Sequence, residues 1–254
     1  MNIDTHVHLL LTKDSSPSWR EIKLVAEVAR AKGIDALCIT EHLDARYYEQ
    51  LVKGIFFEKR LGGQIVSPGI CVLDNGLILT SAAEVSIKGG GDIGVHTDPD
   101  TLLSLDKEKG IYSLDSLCNV LTARNQPYVL VVHHIYRPGK WVSLSDEQVE
   151  KIDALELPAK DVNLLDKYRC YRIVLDIPSV TGSDSHTWAQ IGAGYTNFPN
   201  KENSNGEVSL TFSELKQMIS LHQGVSTYSP EAEKIVKASQ LYRSFLKESS
   251  VPAN

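Results

Sequence analysis

The sequence predicts an α/β fold in which a mainly parallel sheet curls into a barrel with its helices outside. Three observations predict it. Strand-like and helix-like stretches alternate along the chain, the strand-like runs are short and apolar, and histidines recur at their C-terminal ends. About seven strand–helix units in one chain suit a closed barrel better than an open sheet. No internal repeat and no composition break marks a second domain, so residues 1–254 are expected to form one, long enough to bury its own core.

Each element has a local cause. Residues 1–6 read as a short strand. Ser18 and Glu21 have the Ser-x-x-Glu spacing of a capping box, which starts a helix. Ile22, Val25, Ala26 and Ala29 fall on one face of that helix, and Gly33 sits where a helix C-terminus favours glycine. A strand over 36–40 follows, then a helix-like stretch over 45–60 and a strand over 77–85. His96 lies in a short extended segment. Residues 128–132, bounded by Pro127, form a buried strand, and 152–157 and 177–183 read as two more, separated by a helical 160–171. The tail, within 212–247, is helical. Residues 89–91 and 200–207 read as loops, and 248–254 are expected to fray.

Composition narrows the function classes. A formal charge of -6 argues against a general nucleic-acid coat or a membrane-surface protein. No apolar run is long enough to span a bilayer, and the opening MNIDTHVH is not a leader, so a cytoplasmic location is expected. Cys38, Cys71, Cys118 and Cys170 form no Cys-x-x-Cys pair and read as reduced, mostly buried thiols.

The chemistry is in the histidines. Of the eight, only His222 falls in a helix; His6, His8, His42, His96, His133, His134 and His186 lie at or just beyond strand ends. In a βα barrel those ends share one rim, so residues remote in sequence converge there. Carboxylates accompany them. Alternation along a strand puts Asp4, His6 and His8 on one side, Glu41 adjoins His42, Glu84 ends a strand, and Asp184-Ser185-His186 repeats the alternate spacing. Neighbours on a strand face opposite ways, so one of His133 and His134 is expected to point inward, and His133, which continues the strand, is the better candidate. Each fragment alone has a bland explanation, such as a surface ion pair or a turn cap. Their joint recurrence points to a metal site, and mixed imidazole and carboxylate ligands suit zinc, manganese or iron.

Taken in order, Asp4-Thr5-His6-Val7-His8, Ile39-Thr40-Glu41-His42, the strand end at Glu84, Val131-Val132-His133, and Gly182-Ser183-Asp184-Ser185-His186 with Gly192 and Gly194 behind it resemble the PHP (polymerase and histidinol phosphatase) superfamily. The resemblance spans residues 1 to about 198 and implies a distorted (β/α)7 barrel holding two or three divalent metals. It implies metal ligation by His6, His8, His42, Glu84, His133, Asp184 and His186, with Glu84 as a bridge between metals. Asp14 and His96 match two further ligand positions. Two departures stand out: the family's second motif usually reads Asp-His and here is Glu41-His42, and its fourth usually reads His-Pro and here is His133-His134.

The expected activity is hydrolysis of a phosphate monoester or diester by a metal-activated hydroxide, with Asp184, His186 and Arg137 closest to the chemistry. Arg137 is the best candidate for a phosphate clamp, because a guanidinium grips phosphate through two parallel hydrogen bonds. It lies in a loop over 134–141 with Tyr136, Lys140 and Trp141, and Arg46, Tyr47 and Tyr48 follow the second motif. These loops would suit a phosphorylated small molecule or a nucleic-acid end; alternatively Trp141 packs on a neighbouring helix. A catalytically degenerate barrel serving as a partner-binding module is the competing reading. An amidohydrolase, whose barrel also begins with His-x-His, fits the Asp184-x-His186 ending less well. A partner ATPase that presents the substrate, or a homo-oligomer, is compatible with the sequence.

Overall fold

A computed structural model describes residues 1–141, 144–199 and 210–249; the loop expected over 200–207 and residues 250–254 of the tail lie outside these. Strand β1 (Asn2–Val7) is parallel to β2 (Ala36–Ile39), and α1 (Trp19–Ala31) makes the crossover. Helix α1 begins where the Ser18 hydroxyl accepts the Glu21 amide, buries Ile22, Val25, Ala26 and Ala29, and ends before Gly33 at φ +75°. Helix α2 (Tyr48–Phe56) follows, then a hairpin of β3 (Gln64–Ser67) and β4 (Ile70–Val72), which the alternating pattern does not anticipate.

Strand β5 (Ile78–Ser86) is parallel to β2, but β6 (Asp92–His96) runs antiparallel to both β5 and β7 (Val129–His133). The uniformly parallel order expected from the sequence therefore fails at β6. Residues 87–91 are too few for a crossover, which needs about a dozen residues, and can only make a hairpin; Gly89, Gly90 and Gly91 all have positive φ there. Helices α3 (Pro99–Leu103) and α4 (Leu114–Ala123) lie between β6 and β7. Then come α5 (Asp146–Val149), β8 (Ala154–Glu156), a 3-10 helix (Ala159–Leu164) leading into α6 (Leu165–Leu175), and β9 (Ser179–Val180), with β7, β8 and β9 mutually parallel. A turn at Trp188–Gln190 precedes β10 (Gly194–Asn197), α7 (Phe212–Ser220), β11 (Val225–Tyr228) and α8 (Ala232–Ser249). Strand β10 pairs antiparallel with β1 and β11 antiparallel with β10, an extension the sequence does not signal.

The sheet order is β11-β10-β1-β2-β5-β6-β7-β8-β9. The chain beyond β9 returns to β1: the Asp184 amide donates to His6 O at 2.7 Å and the His8 amide to Ser185 O at 2.8 Å. This contact nearly closes the barrel, and it requires glycine at 182, where a Cβ would stand 2.4 Å from His6 Cβ and 2.6 Å from the His6 amide nitrogen. The fold is thus a distorted (β/α)7 barrel, its distortion being β6. Inside it, Ile3, Ala36, Ile78, Val129, Val131, Ala154 and Val180 pack with Phe212, Leu215 and Met218 of α7. That apolar plug fills the end where the parallel strands begin and leaves the end where they finish for polar side chains.

Candidate metal centre

At the finishing end the expected residues converge. Strand alternation turns His6 inward from β1 and sends Val7 into the outer core. The Nδ1 of His6 lies 2.8 Å from Glu156 Oε1, and that of His8 3.2 Å from Glu41 Oε1. Burial would raise the Glu156 carboxyl, but His6 and His133 beside it hold it at about 2. Burial likewise opposes the charge on Glu41, and His8 keeps its pKa low. Both carboxylates are therefore acceptors for an Nδ1 proton, which leaves the Nε2 of each ring as the atom that can ligate a cation. In the metal-free protein burial opposes a charge on His8, but Glu41 and Asp184 raise its pKa to about 10. Those two Nε2 atoms face each other at 3.0 Å, with Asp184 Oδ1 at 3.4 Å from His8 Nε2 and 3.9 Å from that of His6. Two ring nitrogens and a carboxylate oxygen around one point fit a cation. A carboxylate behind each ligating imidazole is the arrangement that fixes its ring and tautomer.

Glu84, two residues before the end of β5, joins a second set. Its Oε1 lies 3.0 Å from His133 Nδ1 and 2.9 Å from His134 Nε2, and its Oε2 lies 2.7 Å from His42 Nδ1. His186 stacks on His8 at 4.2 Å between ring centroids, and His133 on His6 at 3.9 Å. His133 has room because position 94 is glycine: a Cβ there would stand 2.3 Å from His133 Nε2. Among the described residues four overlapping groups can hold a metal ion: His6, His133, His134 and Glu156; His8, His42 and His186; His6, His8 and Asp184; and Glu84, Asp92 and His134. His133 Nε2 and His134 Nδ1 are buried and lack a hydrogen-bond partner, an arrangement that costs free energy unless a ligand satisfies it.

The electrostatics match. Burial opposes ionisation of Glu84, but His134 and His133 hold its carboxyl well below the usual range. Burial also opposes Asp184, which Lys160 and Arg137 keep ionised. Burial, with His133 beside it, lowers His6 to about 4.

Some expected residues lie elsewhere. Asp14 is exposed and joins none of the four groups, although it lines a cavity that reaches His8. His96 points into the barrel one layer below the centre, because β6 runs downward from Asp92; it too is outside the four groups. Burial and the neighbouring His133 lower its pKa to about 3. Arg137 spends its nitrogens on carboxylates, Nε on Asp161 at 3.1 Å and Nη1 on Asp184 at 2.5 Å, while Nη2 is buried without a partner. Tyr48 is not on the rim at all but fully buried, its hydroxyl donating to Ala82 O. Arg46 is exposed and sits over the Tyr47 ring. Lys140 reaches Asp92. Trp141 packs on Tyr171 of α6, as its alternative reading expects.

Sequence reasoning missed Asp92, Glu156 and Lys160. Glu156 carries the same signal as Glu84, an acidic residue ending an apolar strand. Asp92 sits at the start of its strand, and only the reversal of β6 brings it to the rim. Lys160, on the 3-10 helix, approaches Asp184 Oδ1 at 2.9 Å.

The sequence matches the family model described as PHP-associated over residues 168–210, which contains Asp184 and His186. Among solved structures, PsfC from Pseudomonas syringae PB-5123 is 34% identical at a TM-score of 0.86, over 96% of this chain and 98% of that one. The chain belongs to the PHP superfamily. The lesion-specific endonuclease PfuEndoQ from Pyrococcus furiosus shares the fold at 18% identity and a TM-score of 0.60, over 86% of this chain and 55% of that one. Endonuclease Q in complex with a 27-mer duplex bearing an abasic lesion matches at 18% and 0.61, over 86% and 56%. No curated protein matches the chain in sequence. In this PHP barrel both departures from the family pattern have visible consequences. Glu41, one methylene longer than aspartate, also accepts the Leu9 and Leu10 amides at 3.0 and 2.8 Å and so pins the turn after β1. His134 has φ +23°, which proline, fixed near -65°, cannot adopt. That backbone turn lets His133 and His134 both reach Glu84, where strict alternation allows only one.

Proposed function

We propose that this PHP chain is a metal-dependent hydrolase of phosphate esters. The observation that carries it is the pair of imidazoles, each with its Nδ1 on a carboxylate, whose Nε2 atoms face each other beside Asp184. Divalent ions at such a centre lower the pKa of a bound water and offset the charge of a phosphoryl group. His6, His8, His42, His133, His134 and His186 with Glu84, Asp92 and Asp184 would hold them. Glu156 and Glu41 orient their imidazoles, and Arg137 and Lys160 fix the Asp184 carboxylate. The buried Nη2 of Arg137 and the Lys160 ammonium, both on side chains paired with Asp184, would meet a phosphoryl oxygen there.

The test pairs metal analysis with catalysis. Purified protein supplied with manganese should carry two or three metal ions and hydrolyse a generic phosphate monoester or diester. His6→Ala and His8→Ala should each lose metal and turnover while keeping a native circular dichroism spectrum. A fully loaded protein inert on both ester classes would oppose the reading, as would turnover retained in either variant.

A further inference from the structure

Beside the metal centre, a cavity of about 560 Å³ opens on His8 and His186, a size suited to a small molecule, for which sites run to roughly 300–1,000 Å³. Part of its wall is apolar: Leu9 from the turn after β1, Ile22 and Val25 of α1, Trp188, and Tyr242 and Leu246 of α8. Trp188 and Tyr242 meet edge-on, ring centroids 5.7 Å apart. Serines 15, 16 and 18 and Thr187 give the rest of the lining its hydroxyls, and Asp14 and Glu21 its carboxylates. Helix α8 is tied across this cavity. Arg243, next to Tyr242, donates to Leu11 O from Nε and Nη2 at 2.9 and 2.7 Å, and the Ser239 and Thr187 hydroxyls meet at 2.8 Å.

We infer that this cavity receives the alcohol portion of a small phosphate monoester, that this portion is apolar or aromatic, and that Trp188, Tyr242 and Leu246 set the preference. The inference rests on the phosphoester-hydrolase reading. A phosphoryl group at His8 and His186 has its organic substituent directed into the space beside them. There two aromatic rings and five aliphatic side chains, Leu11 among them, face the carboxylates of only Asp14 and Glu21. Burying a ring against such a wall favours binding by the area removed from water. A polymer end would have to displace α8, which is anchored on both sides of Tyr242. Apolar burial here would act on substrate affinity more than on the chemical step, because the wall touches the leaving group and not the phosphorus.

The experiment uses the full chain loaded with manganese and two kinds of probe. Benzylphosphonate and methylphosphonate, which do not hydrolyse, report binding by titration calorimetry. Benzyl phosphate and glycerol phosphate, alkyl esters of similar intrinsic reactivity, report turnover. The expected result is benzylphosphonate bound at least about tenfold more tightly than methylphosphonate, with a correspondingly lower KM for benzyl phosphate. Tyr242→Ala, which opens the wall, and Leu246→Trp, which fills the cavity, should each bring that ratio below about threefold. Both positions are partly exposed, and thermal melting confirms that each variant is folded. Equal binding of the two phosphonates, or an undiminished ratio in both variants, overturns the inference. So does a 5′-phosphorylated oligonucleotide that binds more tightly than benzylphosphonate. The two readings fail separately: a benzyl preference that responds to the variants without hydrolysis of either ester would sink the hydrolase reading and keep the pocket. Hydrolysis of both esters without preference would do the reverse.

Discussion

At the scale of single residues, the centre depends on groups that do not themselves face it. Glu41 accepts from His8 and from the Leu9, Leu10 and His42 amides. Glu41→Gln removes the charge that fixes the His8 tautomer, and substitutions behind a ligand of this kind weaken metal binding about 10–100-fold. A manganese titration should show that loss while the far-ultraviolet spectrum stays native. Gly94 acts by absence. Gly94→Ala would press a methyl against His133, and overpacking of this kind costs about 1–3 kcal/mol; urea denaturation should show it, with lowered metal content because the His133 ring must move. The buried thiol of Cys38, pushed up to about 12 by burial, has no part in this chemistry.

At the scale of elements, α7 and α8 divide the work of the C-terminal segment. Helix α7 closes the barrel floor. Phe212→Ala there should destabilise the fold by about 3 kcal/mol, the usual cost of emptying an aromatic site in a core. Because the floor lies at the far end from the imidazoles, metal stoichiometry measured in native buffer should not change. Helix α8 instead lies beside the centre, with Arg243 bonded to the turn after β1. The β5–β6 hairpin is the element that makes this barrel irregular. By reversing one strand it brings Asp92 to the rim and lowers His96 into the interior.

At the scale of the whole molecule, the barrel gathers buried imidazoles and carboxylates that repel their own kind unless cations separate them. Metal should therefore stabilise the fold. An ion at 100 times its dissociation constant adds about 2.7 kcal/mol, and at about 2–4 °C per kcal/mol for a chain of this length Tm should rise by roughly 5–10 °C. Calorimetry with and without chelator measures this. The sign with pH follows from the ligands. Ligation requires neutral imidazole, so the metal-loaded fold binds fewer protons than the metal-free fold. In the metal-free fold burial lowers His6 to about 4; burial also opposes a charge on His8, but Glu41 and Asp184 raise it to about 10. The metal's contribution therefore weakens as pH falls through these values, and the chelator-sensitive part of Tm should vanish in acid. A chelator effect on Tm that is unchanged in acid would contradict imidazole ligation.

Much of this was legible in the sequence because its signals are local. Strand alternation assigned His6 and His8 to one face, the Ser18–Glu21 spacing started α1, and the recurrence of His42, Glu84, His133, Asp184 and His186 at strand ends announced a rim. Where a decisive contact joins residues far apart in the chain, the sequence was silent. It could not show that Glu156 and Glu41 stand behind His6 and His8, or that Arg137 and Lys160 meet at Asp184. Nor could it show that a hairpin reverses β6, or that a left-handed turn at His134 brings two neighbouring histidines to one carboxylate. Hydrophobic period and turn chemistry depend on near neighbours and so are written in order along the chain. Strand direction after a short loop, closure at Gly182, and the wall that α8 places beside His8 depend on packing between distant segments, which only the folded chain decides.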